Sequence, residues 1–490
     1  MKIAFLNPVN FLDTGIPQGI ALLSAIVKER GHEVKVIDTA FMKTGEYVRP
    51  NAGITIYKPT AYDLHDLVEN DPVVDVINEV QKQVDDFKPD LLGVSVMTTN
   101  YQYSVDLMNQ LKIPCPVLYG GVHPTLCPEE VLRNGFVDMV CIGEGDEALP
   151  ELCEAIEKGE SYSHIKNLWV KESGSIIKNP QRPFVDLDTL PVPDWTLFDK
   201  RHLFRPFDGE IYTGGFFVTS RGCPGKCTYC VNESLQKICK DCGNYFRRMS
   251  PKIIAGQVGE LKKRYGATWF KFGDDTFLLH TVSEFEELRD LIRPLNIQFG
   301  CSVRPDTVTQ KKVELLKDMG CVAMSVGIET GNEDLRRNQL NRQISNEQIE
   351  NALNWISEAD IRISTFNLLG IPGETRENVY ETIRLNKRLN VRAANVYIVY
   401  PFPKSILAEK YKTDILDEQG KIIPMNKAEV FNFSNMSQDE LLGLQKTFNL
   451  YLSLPEELWP IIRLAEGDNP QADIIFEALK AYSVSVLQSS

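Results

Sequence analysis

The chain has 490 residues and a formal net charge of −14, too long for one ordinary core and lacking the general basic footprint of a protein that holds nucleic acid by its phosphates. With 43% hydrophobic and 24% charged residues, it reads as a soluble globular protein of two or three domains, without the ~20-residue apolar run of a membrane span. The opening Met1–Pro8 breaks at Asn7-Pro8 and is no secretory signal, so the 11 cysteines point to thiols and metal ligation in a reducing cytoplasm.

Residues 3–6 are a short apolar run, followed by a polar loop from Asn7 to Gln18. An amphipathic stretch then carries Ile20, Leu23, Ile26 and Val27 on one face and closes at Gly31. Val34–Asp38 is a second strand, which makes a βαβ opening. The pattern resumes with strands at Leu91–Val96, Pro116–Tyr119 and Asp138–Ile142, and with helices over 102–111, Pro128–Asn134 and Glu147–Lys158. Alternation of this kind predicts a doubly wound parallel sheet over residues 1–160, with ligands at the carboxyl ends of its strands. The loops there are small and polar: Ser95 to Asn100, with Met97 and Thr98, then Gly120-Gly121-Val122-His123-Pro124-Thr125, then Gly143-Glu144-Gly145. Gly15-Ile16-Pro17-Gln18-Gly19 does not supply the Gly-x-Gly-x-x-Gly turn that a dinucleotide would want. A flavodoxin-like or Rossmann module with another ligand, or with none, is the alternative for this domain.

Residues 161–212 hold several prolines and little periodicity, and are predicted to be a linker with a small hairpin. From 213 to 403 the βα pattern returns, with strand-like runs at Phe216–Thr219, Ala267–Phe272, Ile297–Val303, Cys321–Gly327, Ile363–Leu369 and Ala393–Val399. Six such units suit a partial (β/α)6 barrel, whose chemistry sits at the carboxyl ends of its strands. The tail, 404–490, alternates apolar and charged helical stretches and is predicted to close the open side of the barrel. Tyr397, Tyr400 and Phe402 either line a pocket or belong to the core.

The first strand of the barrel leads into Cys223-Pro224-Gly225-Lys226-Cys227-Thr228-Tyr229-Cys230. Three thiolates in a C-x3-C-x2-C spacing can hold three irons of a [4Fe–4S] cube and leave the fourth iron open. A zinc site usually repeats C-x2-C at a distance, which this triplet does not. The motif, with Tyr229 before its third cysteine, resembles the radical S-adenosylmethionine (SAM) enzymes. That resemblance implies that Cys223, Cys227 and Cys230 hold the cluster and that SAM is cleaved to methionine and a 5'-deoxyadenosyl radical. It also puts Tyr229 beside SAM, Asp274 or Asp275 at the SAM amino group, Arg304 at its carboxylate and Glu329 at its ribose. Each of these polar residues could instead be a helix cap or a surface ion pair.

The loops of residues 1–160 resemble the cobalamin-binding domain that precedes the barrel in one large subfamily. The resemblance implies cobalamin contacts at Ser95, Met97, Thr98, Gly120, Gly121, His123, Gly143, Glu144 and Gly145. The Asp-x-His-x-x-Gly signature of other cobalamin proteins is absent; Asp63-Leu64-His65 is a near miss in the wrong place, and His65 is expected to be a surface histidine. His123 is expected either to meet the nucleotide tail or to cap a turn. A chain with both cofactors is expected to be a cobalamin-dependent radical SAM methyltransferase acting on an unactivated carbon, with flavodoxin or ferredoxin as electron donor. The substrate is not legible: a peptide or protein side chain, a small metabolite and a lipid stay open. The alternatives are cyclisation, oxidation or C–C coupling on a lipid or tetrapyrrole, and a non-catalytic sensor or scaffold. Cys239-Lys240-Asp241-Cys242 is either half of a metal or redox site or a pair of loop cysteines.

Overall fold

The computed structural model describes residues 1–44, 67–391 and 394–489, the last five of these by backbone alone. His65 lies outside the described residues. The N-terminal sheet has five parallel strands, β1 (Lys2–Asn7), β2 (Glu33–Asp38), β3 (Leu91–Ser95), β4 (Val117–Gly120) and β5 (Met139–Cys141). An antiparallel hairpin, β6 (Leu168–Glu172) and β7 (Ser175–Lys178), completes it, in the order β2-β1-β3-β4-β5-β6-β7. Ile3, Ala4, Leu6, Leu91, Leu92 and Val140 are buried, which is why the parallel strands read as continuous apolar runs rather than alternating ones. Helix Gln18–Glu29 packs Ile20, Ala21, Ile26 and Val27 inward.

Two expectations for this domain change. The helix expected over 128–134 is present as Pro128–Leu132, and a second short helix, Val122–Leu126, precedes it where a loop was expected; Pro128 lacks the amide that would continue that first helix. The hairpin expected inside a linker is an edge of the N-terminal sheet, so that sheet is mixed rather than wholly parallel.

The second sheet begins with β8 (Phe204–Phe207) and β9 (Glu210–Phe217), which form another hairpin where linker was expected. Asp208 and Gly209, at φ 49° and 87°, make the two-residue turn with positive φ that matches the twist of a hairpin. A short antiparallel pair follows, β10 (Ser220–Arg221) and β11 (Arg247–Arg248). The parallel strands β12 (Trp269–Phe272), β13 (Gln298–Val303), β14 (Cys321–Glu329), β15 (Arg362–Leu369) and β16 (Ala394–Ile398) then give the order β8-β9-β12-β13-β14-β15-β16. Six of these strands, β9 and β12 to β16, run parallel in an open sheet that ends at β8 and β16, a partial barrel, with helices such as Pro251–Tyr265 and Asn346–Glu358 between strands.

Within the helical tail, Gln438–Ser453 packs against helix Arg376–Arg388 and β16. Lys421 and Ile422 reach across to Asp106 and Gln102 of helix Thr98–Met108, at 3.1 and 3.2 Å. The tail therefore straddles the two sheets. Among the described residues no helix is long and apolar enough to cross a membrane.

Candidate active site

The β10–β11 pair clamps both ends of the segment that carries the cysteine triplet, with Ser220 opposite Arg248 and Arg221 opposite Arg247. Cys223 and Cys227 are buried and Cys230 is partly buried; all three thiols are free. Hydrogen-bond donors surround the sulfurs. The Gly225 amide lies 3.4 Å from Cys223 Sγ and the Asn232 amide group 3.5 Å from Cys230 Sγ. Two guanidinium groups, of Arg304 and Arg342, lie 3.5 and 3.8 Å from Cys227 Sγ. Donors of this kind stabilise thiolate and tune a cluster's potential. The three thiols do not close to the span that one ion could bridge, which among the described residues is reached by a different group.

The acidic pair after β12 separates into two environments. Asp274 is buried, and its Oδ1 accepts from the Thr219 amide at 3.0 Å and from the Thr219 hydroxyl at 2.9 Å. It thereby ties the end of β9, and burial pushes its carboxyl up to about 6. Asp275 accepts from Asn232 at 3.1 Å, beside Cys230. Of the two, Asp275 faces the cysteine segment, whereas Asp274 Oδ1 is occupied by the strand end.

Glu329 ends β14 in the left-handed region, at φ 67°. It pairs with buried Arg342 at 3.3 Å, and Arg342 also meets the Tyr229 hydroxyl at 3.2 Å and the Gly327 carbonyl at 2.8 Å. Arg342 gave no signal in the sequence, since it is a lone charge among polar and apolar residues in the loop after helix Glu333–Asn338. Arg304 is paired with Asp306 at 2.8 Å. Glu374, also buried, accepts from the Gly370 amide at 2.8 Å, while its other oxygen has no partner; burial raises its carboxyl to about 8.

A cavity of about 320 Å³ lies at the carboxyl ends of the N-terminal strands. Ser95, Gly120, Gly121, Gly143, Glu144 and Gly145 line one side; Phe217, Val218, Ser220 and Arg221, which run into Cys223, line the other. A Cβ on Gly120 would meet nothing nearer than 3.9 Å. The strand ends thus leave backbone open to a bulky, largely apolar ligand, and the residues present fit a B12 group. Glu144 is engaged across the seam: it pairs with Arg221 at 3.1 Å and with Arg247.

Met97, Thr98 and His123 are not among the residues lining this cavity. Met97 is exposed, and His123 is fully buried with its ring stacked on Tyr101 at 4.1 Å and Nδ1 3.2 Å from the Thr98 hydroxyl. His123 therefore neither caps a turn at the surface nor reaches the cavity, because the helix Val122–Leu126 turns its ring back under helix Thr98–Met108. Cys239 and Cys242 are buried beside Gln181, which accepts from Cys242 at 3.0 Å, and Cys239 Sγ lies 3.8 Å from the Cβ position of Gly143. Tyr400 is core, its hydroxyl bound to the Ile423 carbonyl at 2.7 Å; Tyr397 is exposed.

A cysteine triplet at the mouth of a partial barrel, facing strand-end glycines of a doubly wound domain, defines a radical SAM protein with an accessory cofactor domain. Comparison with known proteins agrees. The radical SAM superfamily matches residues 217–385 and the B12 binding domain residues 59–153. The chain belongs to the cobalamin-dependent radical SAM enzymes, with the B12-binding domain ahead of the barrel. An uncharacterized methyltransferase of Pyrococcus horikoshii is 29% identical over 405 residues, covering 81% of this chain and 78% of that one. The anaerobic magnesium-protoporphyrin IX monomethyl ester cyclase of Rubrivivax gelatinosus is 24% identical, over 73% of this chain and 62% of its own length. The radical SAM methyltransferase TsrM from Kitasatospora setae, solved with cobalamin and a [4Fe-4S] cluster, shares the fold at a TM-score of 0.65 and 15% identity, covering 98% of this chain and 99% of that one.

Proposed function

We propose that this chain is a methyltransferase that places a methyl group on an unactivated carbon, using a [4Fe–4S] cluster, SAM and cobalamin. The observation that carries the reading is the shared cavity, whose two walls are the glycine loops of the B12-binding domain and the residues leading directly into Cys223. When bound, the cluster with SAM supplies a carbon radical able to remove an unactivated hydrogen, and cobalamin supplies a transferable methyl group.

Cys223, Cys227 and Cys230 hold three irons, and Asn232, Arg304 and Arg342 donate toward their sulfurs. Asp275 and Glu329 offer carboxylates for the SAM amino group and ribose, Arg304 offers a cation for its carboxylate, and Tyr229 offers a ring beside it. Ser95, Gly120, Gly121, Gly143 and Gly145 let cobalamin approach the backbone.

The inner face of the barrel receives the substrate. Strand register sets Phe216, Lys271, Gly300 and Ala323 in one row around it. Lys271 Nζ lies 3.4 Å from Ser325, and Ser325 2.9 Å from Ser364. Phe366 and Tyr397 stand 6.4 Å apart further round. A substrate with both polar and aromatic or apolar parts suits this wall, and a flavodoxin or ferredoxin serves as electron donor.

The test is anaerobic reconstitution with iron and hydroxocobalamin, followed by incubation with methyl-deuterated SAM and candidate peptides or small metabolites. Transfer of the labelled methyl group to carbon supports the reading. Conversion of a substrate without any gain of label supports the cyclase-like alternative that the Rubrivivax gelatinosus relative illustrates.

A further inference from the structure

We propose that His123, Cys127 and Glu130 form a zinc site on the B12-binding domain, separate from the cysteine triplet. The imidazole nitrogen, the thiol sulfur and a carboxylate oxygen of these residues all lie within 4.8 Å of one another. One ion with bonds of ~2.0–2.3 Å spans such a group.

The histidine argues for an ion in its own right. His123 is fully buried, and its Nε2 has no hydrogen-bond partner. Glu130 Oε1 stands 3.7 Å away, too far for a hydrogen bond and suited to two ligands of one tetrahedral ion. A buried polar nitrogen left without a partner is destabilising, and a bond to an ion removes that cost. The opposite side of the ring is already fixed, with Nδ1 3.2 Å from the Thr98 hydroxyl and the face against Tyr101. With Nδ1 as the donor to that hydroxyl, the lone pair is on Nε2 and free for an ion, as the outer hydrogen-bond partners of metal-bound histidines arrange it.

Backbone geometry explains how three side chains converge. The Cys127 amide bonds to the His123 carbonyl at 2.9 Å and the Val131 amide to the Cys127 carbonyl at 3.2 Å. The two short helices thus present positions 123, 127 and 130 on one side of a kink at Cys127. A thiolate and a carboxylate also balance the charge of Zn²⁺, and a thiolate–imidazole–carboxylate set favours zinc over calcium or magnesium. Cys127 and Glu130 are only partly buried, which leaves a path for entry and a fourth position for water. The Thr125 hydroxyl, between the ligands, accepts from the Gly143 amide at 3.0 Å. A metal here would therefore stiffen the loop that carries Gly120 and Gly121 and, through Thr125, the loop at Gly143.

The experiment is metal analysis and zinc K-edge spectroscopy on the full-length protein, purified anaerobically with its iron, given one equivalent of zinc and desalted. About one zinc per chain with a single sulfur at ~2.3 Å and nitrogen or oxygen at ~2.0 Å is expected. Cys127→Ser and His123→Gln should abolish it with iron content unchanged, whereas Cys227→Ala should lose iron and keep zinc. Should either ligand variant fail to fold, Thr98→Val keeps the three ligands and should weaken zinc by about 10–100-fold in a chelator competition. Three results overturn the proposal: no zinc retained by wild type, a sulfur-rich shell lost with Cys227→Ala, or zinc affinity unchanged in the Thr98 variant.

Discussion

Arg221 grips both carboxylate oxygens of Asp146, at 2.7 and 3.0 Å. The residue two places ahead of Cys223 is thereby fixed to the loop after β5, which ties the cysteine segment to the B12-binding loops. Planar two-point contact of this kind sets orientation as well as energy. Arg221→Met would leave Asp146, whose side chain is 5% exposed, without its main partner. A loss of about 2 kcal/mol in urea unfolding is expected, reduced from the value for a fully buried pair because Arg221 keeps some solvent contact. Cobalamin content should fall as well. Arg221→Lys should recover part of the stability only, since an ammonium cannot reproduce the fork.

Arg304 and Arg342 each aim a guanidinium at Cys227 Sγ. Hydrogen bonds and positive charge near a cluster sulfur favour its reduced form. Arg304→Gln should retain iron while moving the cluster midpoint to more negative potential, measured by redox titration followed by electron paramagnetic resonance. An unchanged midpoint would show that this guanidinium does not act on the cluster.

Gly120 lines the cavity, where a Cβ would make only an ordinary contact with Cys141 at 3.9 Å, whereas Gly121, at φ 105°, would bring a Cβ to 2.4 Å from the Val96 carbonyl. The two positions should therefore respond differently. Gly120→Val should leave thermal stability near wild type but lower cobalamin uptake at least about tenfold, through loss of shape fit worth ~1.4 kcal/mol or more. Gly121→Ala should lower stability itself by about 1–3 kcal/mol, as strained backbone does. Thermal melts and cobalamin titration separate the two effects.

Glu374 has a carboxyl raised by burial from 4.5 to about 8. Between those values the folded chain binds a proton that the unfolded chain has lost. Stability from this group is therefore full below pH 4.5 and falls as pH rises through about 8. Glu374→Gln keeps an acceptor for the Gly370 amide and should flatten that decline in melting temperature. A slope identical to wild type would mean that the group titrates normally.

Cys239 and Cys242 belong to no group of three potential ligands among the described residues. Cys239→Ser and Cys242→Ser should each retain the full complement of about four irons, which Cys227→Ala should not. Loss of iron in either serine variant would assign the pair to a cluster.

The features determined by sequence alone are those that depend on neighbours along the chain. The spacing of Cys223, Cys227 and Cys230 names a cluster because one short loop must deliver three sulfurs. The apolar runs at Ile3–Leu6 and Leu91–Val94 name buried parallel strands because both faces are covered. Gly120-Gly121 and Gly143 announce open strand ends for the same local reason. The hairpin turn at Asp208-Gly209 is a local signal too, but the prolines around it led to the expectation of a linker. The partners of the charged residues were not legible, because they are chosen across a seam. Asp274 and Asp275 are adjacent in sequence, yet alternation along the strand end sends one to Thr219 and the other to Asn232. Arg342 reaches Tyr229 and Glu329 only because the loop after helix Glu333–Asn338 folds back over the cysteine segment. Glu144 became an interdomain ion-pair residue once the packing of the two sheets brought Arg221 and Arg247 within reach. Local spacing carries the chemistry of the cofactor ligands, while burial and register decide which charges face them, since a buried charge must take whatever partner the packing supplies.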